Sequence, residues 1–508
     1  MAQSALDALR ERMGIISGLN HAGAVLSWDQ ECYMPPGGVG SRARALGAVG
    51  RVAHELSTSA EYGRLLEAAE AEVANGRLDP DGDEARLVWR ARKDYDLDVK
   101  LPPEFVAELR QAETIGTQVW QEARKADDYA RFAPQLDTLV GLQRRLADYL
   151  GYDDHPYDAL LDLFEPEMKT ADVRWVFADL RERTVPLVRA IAANRDAVDD
   201  AVLHQHFDPD QQWALGRELT ELFGYDYEHG RMDRSAHPFT TSFGPDDVRL
   251  TARVDEQYFG TCFFSAAHEG GHALHGQGVP ERFAGTPLAG GASSGIGESQ
   301  SRLWENIIGR GREFWRYFYP RVREVFPQQF GDVELEGFYR AVNRSQPSLI
   351  RVEADEVTYN LHIMLRFDLE LSLLEGQLGV ADLPRRWNEK MEEYLGIVPP
   401  SDADGVLQDV HWGSGLFGYF PTYTLGNVMS LQLYEAARAA HPDLPEQFAR
   451  GEFGTVLAWM RQHVHACGRK YLPQEVLERA TGRRLTAEPY VAYLGAKFGD
   501  LYGLKVEG

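Results

Sequence analysis

A mainly α-helical chain with one small β-sheet is what the sequence predicts, on three observations. Apolar residues recur at helical spacing through most of the 508 residues, strand-like alternation is confined mainly to 239–254, and no repeat or long linker interrupts the pattern. A chain of this size would allow about three domains. The missing linkers favour one large helical unit, 1–508, without an internal boundary and with two halves flanking a groove.

Amphipathic patterns predict helices over 4–28, 42–75, 84–98, 103–126, 131–150, 170–196 and 209–223. Turn chemistry punctuates them at Asn75-Gly76 with Asp79-Pro80-Asp81-Gly82, and at Gly151-Tyr152-Asp153-Asp154. Val248, Leu250, Ala252 and Val254 then alternate with polar residues, so this stretch reads as a strand. It feeds 255–275, DEQYFGTCFFSAAHEGGHALH, a predicted helix with an acidic first turn and Gly276 as its stop. A glycine-rich loop over 276–297 leads to a second helical run, 298–319, which Glu298 opens. Further helices are predicted over 335–345, 350–375, 381–395, 425–440 and 453–466, with a turn at Val398-Pro399-Pro400-Ser401.

The chemistry is concentrated in His268-Glu269-Gly270-Gly271-His272, an HExxH pattern. Histidines four apart on a helix share a face, so both imidazoles can reach one cation. Glu269 lies just off that face, where it can act on a water held there. The alternative is two histidines that share a helix face with no ion between them. Phe263, Phe264, Ala266, Ala267, Ala273 and Leu274 surround the motif, which points to a dry wall around it. Gly270 and Gly271 each weaken a helix by roughly 1 kcal/mol against alanine, a cost that packing must offset. Their small size lets a neighbouring chain approach closely.

A hydrolytic metal site needs a third protein ligand and one open position. Glu298 is the candidate, because it starts a helix able to pack against the first. His275 competes, since 268, 272 and 275 share a face. Three ligands from one straight helix diverge along its axis, which favours Glu298. Glu305, two turns further on, suits an ion pair or support of a ligand. The donor set of two nitrogens and one oxygen suits one Zn2+ per chain, and also admits Co2+ or Mn2+.

A formal net charge of −25 argues against nucleic acid or an anionic membrane as a partner. The three cysteines, Cys32, Cys262 and Cys467, form no CxxC pair, and suit a reducing compartment. The start of the chain, MAQSALDALRERMGII, lacks the apolar core of a signal peptide, and no window approaches a membrane span. The expected location is cytoplasmic.

Ordered segments along the whole chain carry a resemblance. Trp28-Asp29-Gln30 and Met34-Pro35-Pro36-Gly37-Gly38 come first, then His237-Pro238-Phe239 and Asp247-Val248-Arg249-Leu250-Thr251. After the HExxH motif stand Glu298-Ser299-Gln300-Ser301-Arg302, Ile350-Arg351-Val352-Glu353-Ala354-Asp355 and Gly405-Val406-Leu407-Gln408-Asp409-Val410-His411-Trp412. Together they resemble the WDQ, MPPGG, HPF, DxRxT, ESQSR, IRxxAD and GxxQDxHW elements of the thermostable carboxypeptidases of the M32 metallopeptidase type. Two departures are Cys32 where threonine is common and His275 where tyrosine is common.

The resemblance implies a neurolysin-like zincin fold with a deep groove, and a homodimer. It implies His268, His272 and Glu298 as metal ligands, with Glu269 as general base and acid. Tyr423 is its candidate for oxyanion stabilisation, and His411 for a contact near the transition state or the substrate's terminal carboxylate. Tyr419 and Tyr423 share a face if their stretch is helical, although Pro421 argues against a regular helix through both. Packed aromatics with bonded hydroxyls are the alternative. Arg351 is the implied anchor for a free C-terminal carboxylate, with Arg249 as second choice; locally, Arg351 could equally make an i,i+4 ion pair with Asp355. His237 is expected to be structural.

Three functions therefore compete. The first is a metal-dependent carboxypeptidase releasing single C-terminal residues from peptides. The second is a neurolysin-type oligoendopeptidase with the same metal site and no carboxylate anchor. The third is a helical binding protein with a structural metal, against which the intact Glu269 argues.

Overall fold

In the computed structural model the described residues are 4–76 and 78–504, and they form helices throughout apart from one three-stranded sheet. The chain divides into two compact units that interleave along the sequence. The first comprises the residues up to Val99, Ala201–Leu335 and Leu433–Arg484. The second comprises Lys100–Asp200, Glu336–Gln432 and the residues from Leu485 on. Among the described residues no helix is long and apolar enough to cross a membrane.

In the first unit, the long helix Ala5–Cys32 packs on Val39–Ser57 and Ala60–Ala74. Sequence periodicity joins the last two into one helix over 42–75. The structure breaks them at Thr58, because the Ser59 hydroxyl caps the next helix by accepting the Tyr62 N–H. Leu6, Leu9, Met13, Tyr62, Leu66, Leu87 and Val88 form a core that also takes in Val279, Phe283 and Leu288. The glycine-rich loop after the HExxH helix is thereby fixed against the N-terminal helices.

The sheet has strand order β1-β3-β2, with β1 Gly230–Arg234, β2 Thr240–Gly244 and β3 Asp247–Ala252. β1 pairs parallel and β2 antiparallel to β3. β2 and β3 fall in the predicted strand region. β1, Gly-Arg-Met-Asp-Arg, carries no apolar alternation and owes its strand form to pairing with β3, so periodicity could not find it.

The HExxH helix spans Gly260–Gly278. Its predicted acidic first turn is instead a turn before the helix, where the Asp255 carboxylate accepts the Gln257 N–H. Gly276 is no stop either. A Cβ there would lie 3.0 Å from Val248 on β3, so glycine serves close helix–sheet packing inside a continuing helix. The predicted run 298–319 resolves into a helix Ser294–Arg302, a π-helical turn Leu303–Ile308 and a helix Arg312–Val325. Glu298 sits within the first of these, not at its start.

In the second unit, the helix Tyr359–Leu374 is buried on nearly every side and packs against Leu383–Leu395, Thr170–Ala193 and Tyr129–Leu150. The predicted helix over 350–375 starts late: Arg351–Glu353 is a single 3-10 turn. Asp355 explains the delay, because its carboxylate accepts the N–H groups of Val357 and Thr358 and the Thr358 hydroxyl. Asp355 is thus a turn-capping residue and not the i,i+4 partner of Arg351.

Candidate metal centre

Gly271 decides how the centre is assembled. A Cβ at Gly271 would meet the Gln300 carbonyl oxygen and the Ser301 Cα at 2.6 Å, so the Ser294–Arg302 helix lies directly against the HExxH helix. That contact brings Glu298 beside the two histidines. Glu298 Oε2 stands 3.7 Å from His268 Nε2 and 3.4 Å from His272 Nε2. The ligand atoms of His268, His272 and Glu298 all lie within 4.8 Å of one another. Tetrahedral ligands at about 2.1 Å from an ion are about 3.4 Å apart, so spacing and donor set fit a divalent cation.

The charges around this group are already arranged. Burial would push the Glu298 carboxyl up, but Arg302, His268 and His272 hold it far below the usual carboxylate range. Arg302 Nε donates to Glu298 Oε1 at 2.6 Å, and its Nη1 reaches Glu305 Oε2 at 3.3 Å, so one guanidinium orients both carboxylates. Glu305, in the π-helical turn, is brought down to about 2: burial acts against ionisation, and Arg302 and His268 outweigh it. Its Oε2 lies 2.8 Å from His268 Nδ1, which leaves Nε2 of that ring facing Glu298. Burial lowers the affinity of His268 for a proton, but Glu298 and Glu305 raise it above the ordinary value.

His275 does not join the group. Its ring packs on His465 at 4.9 Å between centroids, and burial together with His272 lowers its pKa to about 4. Glu269, buried, has its Oε2 2.7 Å from Thr240 Oγ1 on β2. Thr240 directly follows the His237-Pro238-Phe239 segment, and neither helix nor strand periodicity singles it out.

Arg249 on β3 is held by its own strand. Nε and Nη2 each donate at 2.8 Å to the Asp247 carboxylate, and the guanidinium lies over Trp28 and Phe243.

The second unit brings Arg351, His411 and Tyr423 together. Arg351 is buried, with Nε and Nη2 on the Asp409 carboxylate at 3.1 and 2.7 Å and Nη1 on the Tyr359 hydroxyl at 2.9 Å. Its guanidinium lies 5.1 Å from the Tyr423 ring centroid. Arg366 Nε also donates to Asp409, at 2.7 Å. Burial opposes the ionised form of Asp409, but the two arginines keep it well below the ordinary carboxylate value. His411 Nε2 is 3.3 Å from the Tyr423 hydroxyl. Burial, aided by Arg351 and Arg366 and opposed by Asp409, lowers His411 to about 3 and keeps it neutral.

Tyr423 lies in the helix Pro421–Ala440, while Tyr419 precedes it. Proline at the first helical position starts a helix well, so the two tyrosines do not share a helix face. Their rings meet edge-on across the turn, at 5.3 Å. Periodicity alone gives Asp409, Arg366 and Arg302 no chemical role. Asp409 and Arg302 lie inside the GxxQDxHW and ESQSR segments, which is the sequence signal they carry.

The family model for the carboxypeptidase Taq (M32) metallopeptidases matches residues 8–498. Thermostable carboxypeptidase 1 of Thermus thermophilus is 44% identical over 490 residues, 95% of this chain and 96% of the relative. Carboxypeptidase 1 of Bacillus subtilis is 39% identical over 492 residues, 96% of each chain. The crystal structure of the M32 carboxypeptidase from Deinococcus radiodurans R1 superposes with a TM-score of 0.95 at 42% identity, covering 98% of this chain and 99% of that one.

Proposed function

We propose a division of labour among these residues for a chain that belongs to the carboxypeptidase Taq (M32) metallopeptidase family and is a metal-dependent carboxypeptidase acting on peptides. The observation that carries the proposal is the meeting of His268, His272 and Glu298, with Glu269 on the same helical turn. The oligoendopeptidase reading is not favoured, since the matched relatives are carboxypeptidases.

His268, His272 and Glu298 would hold one divalent cation, which supplies Lewis-acid polarisation of a peptide carbonyl and of water. Zn2+ is the proposed ion, on the strength of a two-nitrogen, one-oxygen donor set, with Co2+ and Mn2+ as alternatives. Glu269 takes a proton from the attacking water on its carboxylate and passes it to the leaving nitrogen. The Thr240 hydroxyl steadies Oε2 of that carboxylate. Tyr423 donates its hydroxyl proton toward the developing oxyanion. His411, kept neutral, hydrogen-bonds the substrate near the transition state or its terminal carboxylate.

Arg351 receives the terminal carboxylate. Charge supports this role: Arg351 and Arg366 share the single carboxylate of Asp409, so the cluster keeps a net positive charge beside a neutral His411. Arg249, with its bidentate contact to Asp247, is the second candidate.

The test compares a peptide bearing a free C-terminal carboxylate with the same peptide amidated. Cleavage of the first alone is expected, and equal cleavage of both would overturn the carboxylate-anchored reading. Glu269→Gln is expected to abolish hydrolysis while leaving metal content unchanged. Elemental analysis of the purified protein checks the ion. The resemblance also supports a homodimer, which light scattering tests. The three free cysteines support a cytoplasmic location, tested by fractionation.

A further inference from the structure

The helix Tyr359–Leu374 grips the chain on both sides of His411. On one side, Arg366 donates to the side chains of Gln408, at 2.8 Å, and Asp409, at 2.7 Å. One helical turn later, Glu370 takes the other side. Its Oε1 accepts the Trp412 indole N–H at 2.8 Å, and its Oε2 accepts the Gly418 backbone N–H at 3.2 Å and the Tyr157 hydroxyl at 2.7 Å. Trp412 adjoins His411, and Gly418 stands two residues before the Phe420 ring on which His411 rests at 4.5 Å.

Glu370 is fully buried. A buried carboxylate is costly to desolvate and persists where its acceptors are all used. Two N–H groups and a hydroxyl converge on it, and its ionised form, acceptor-only with two oxygens, satisfies all three at once. Glutamine, with one oxygen, cannot. Burial pushes the Glu370 pKa up to about 7, against the pull of Tyr157, Trp412 and Gly418. Gly418 is itself committed: its φ is +85°, and a Cβ there would lie 2.7 Å from the Leu160 carbonyl carbon. The segment between Trp412 and Gly418 is thus tied at both ends to one carboxylate.

We propose that Glu370 is a positioning residue for the reaction, setting the orientation of His411 and its contact with Tyr423 through Trp412 and Gly418. The inference rests on the roles given above to His411 and Tyr423. Glu370 touches neither of their reacting atoms, so its effect passes through the loop.

The test is a double-mutant cycle on the Zn2+-loaded full-length protein, with an N-acylated dipeptide bearing a free carboxylate as substrate. Glu370→Gln is expected to lower kcat/KM by about tenfold or more, mostly in kcat. In combination with His411→Ala it is expected to add little, because both changes remove the same contribution. A purely structural role would instead lower activity by the same factor whether or not His411 is present. Such additivity, or an unchanged kcat/KM in Glu370→Gln, overturns the inference. If His411→Ala and Tyr423→Phe themselves leave kcat/KM intact, the underlying assignment of those residues falls, and the inference with it. Should Glu370→Gln fail to fold, Trp412→Phe removes only one donor to the carboxylate and is expected to show the same non-additivity on a smaller scale.

Discussion

Glu305 Oε2 lies 2.8 Å from His268 Nδ1, on the side of the ring away from Glu298. A carboxylate on Nδ1 fixes the tautomer and the plane of the imidazole, so the Nε2 lone pair is presented where an ion would sit. Glu305→Gln is therefore expected to weaken metal affinity by roughly 10- to 100-fold. Competition with a chromogenic chelator checks it, and unchanged affinity would deny Glu305 this orienting role.

Gly271→Ala tests the packing that creates the centre. The new Cβ would lie 2.6 Å from backbone atoms of Gln300 and Ser301, where no side chain can move aside. Overpacking of this kind costs about 1–3 kcal/mol. A lower Tm together with weaker metal binding is expected, because Glu298 must shift with its helix. A variant that keeps both would mean that the contact is not needed to deliver Glu298.

Thr240→Val removes the hydroxyl beside Glu269 with little change in volume. Hydrogen bonds to charged groups contribute about 1.5–3 kcal/mol. Steady-state kinetics are expected to show a fall of about tenfold or more in kcat with KM nearly unchanged. A change confined to KM would show that Thr240 does not steady the base.

Asp409 makes part of the second unit's stability acid-sensitive. Its folded pKa is depressed by Arg351 and Arg366, so its contribution is present above the unfolded value of 3.8 and is lost as pH falls through the lower folded value. Asp409→Asn leaves two buried guanidinium groups without their carboxylate, a change costing about 3–5 kcal/mol. Its Tm is expected to be well below wild type at neutral pH, with the gap closing in strong acid. A gap that stays constant from pH 7 to pH 2 would rule out this ionisation as the cause.

Arg351→Lys keeps the charge but loses the fork that binds Asp409 through Nε and Nη2. A fall in kcat/KM for free-carboxylate peptides is expected, larger for Arg351→Ala. Equal activity in all three proteins would remove Arg351 from substrate recognition.

Much of the helical framework was legible in the sequence. The helices Pro103–Ala126, Pro209–Phe223 and Asp83–Asp98 begin and end within a residue of their predicted bounds, since amphipathic period and capping residues act over a few neighbours. The same local rule put His268 and His272 on one face. What failed was local evidence for non-local effects. β1 exists because it pairs with β3, Gly276 because Val248 packs on it, and the late start of Tyr359–Leu374 because Asp355 caps a turn.

By itself the sequence determined which side chains could do chemistry: two imidazoles one turn apart, a carboxylate between them, and arginines suited to a terminal carboxylate. Only the tertiary structure decided their partners. It set Glu298 rather than His275 beside the histidines, gave Arg351 to Asp409 rather than Asp355, and placed Glu305 behind His268. The reason is physical. Helical spacing is fixed by dihedral angles and hydrogen bonds within a few residues, whereas the pairing of buried charges depends on which distant segments packing brings within about 3 Å of each other.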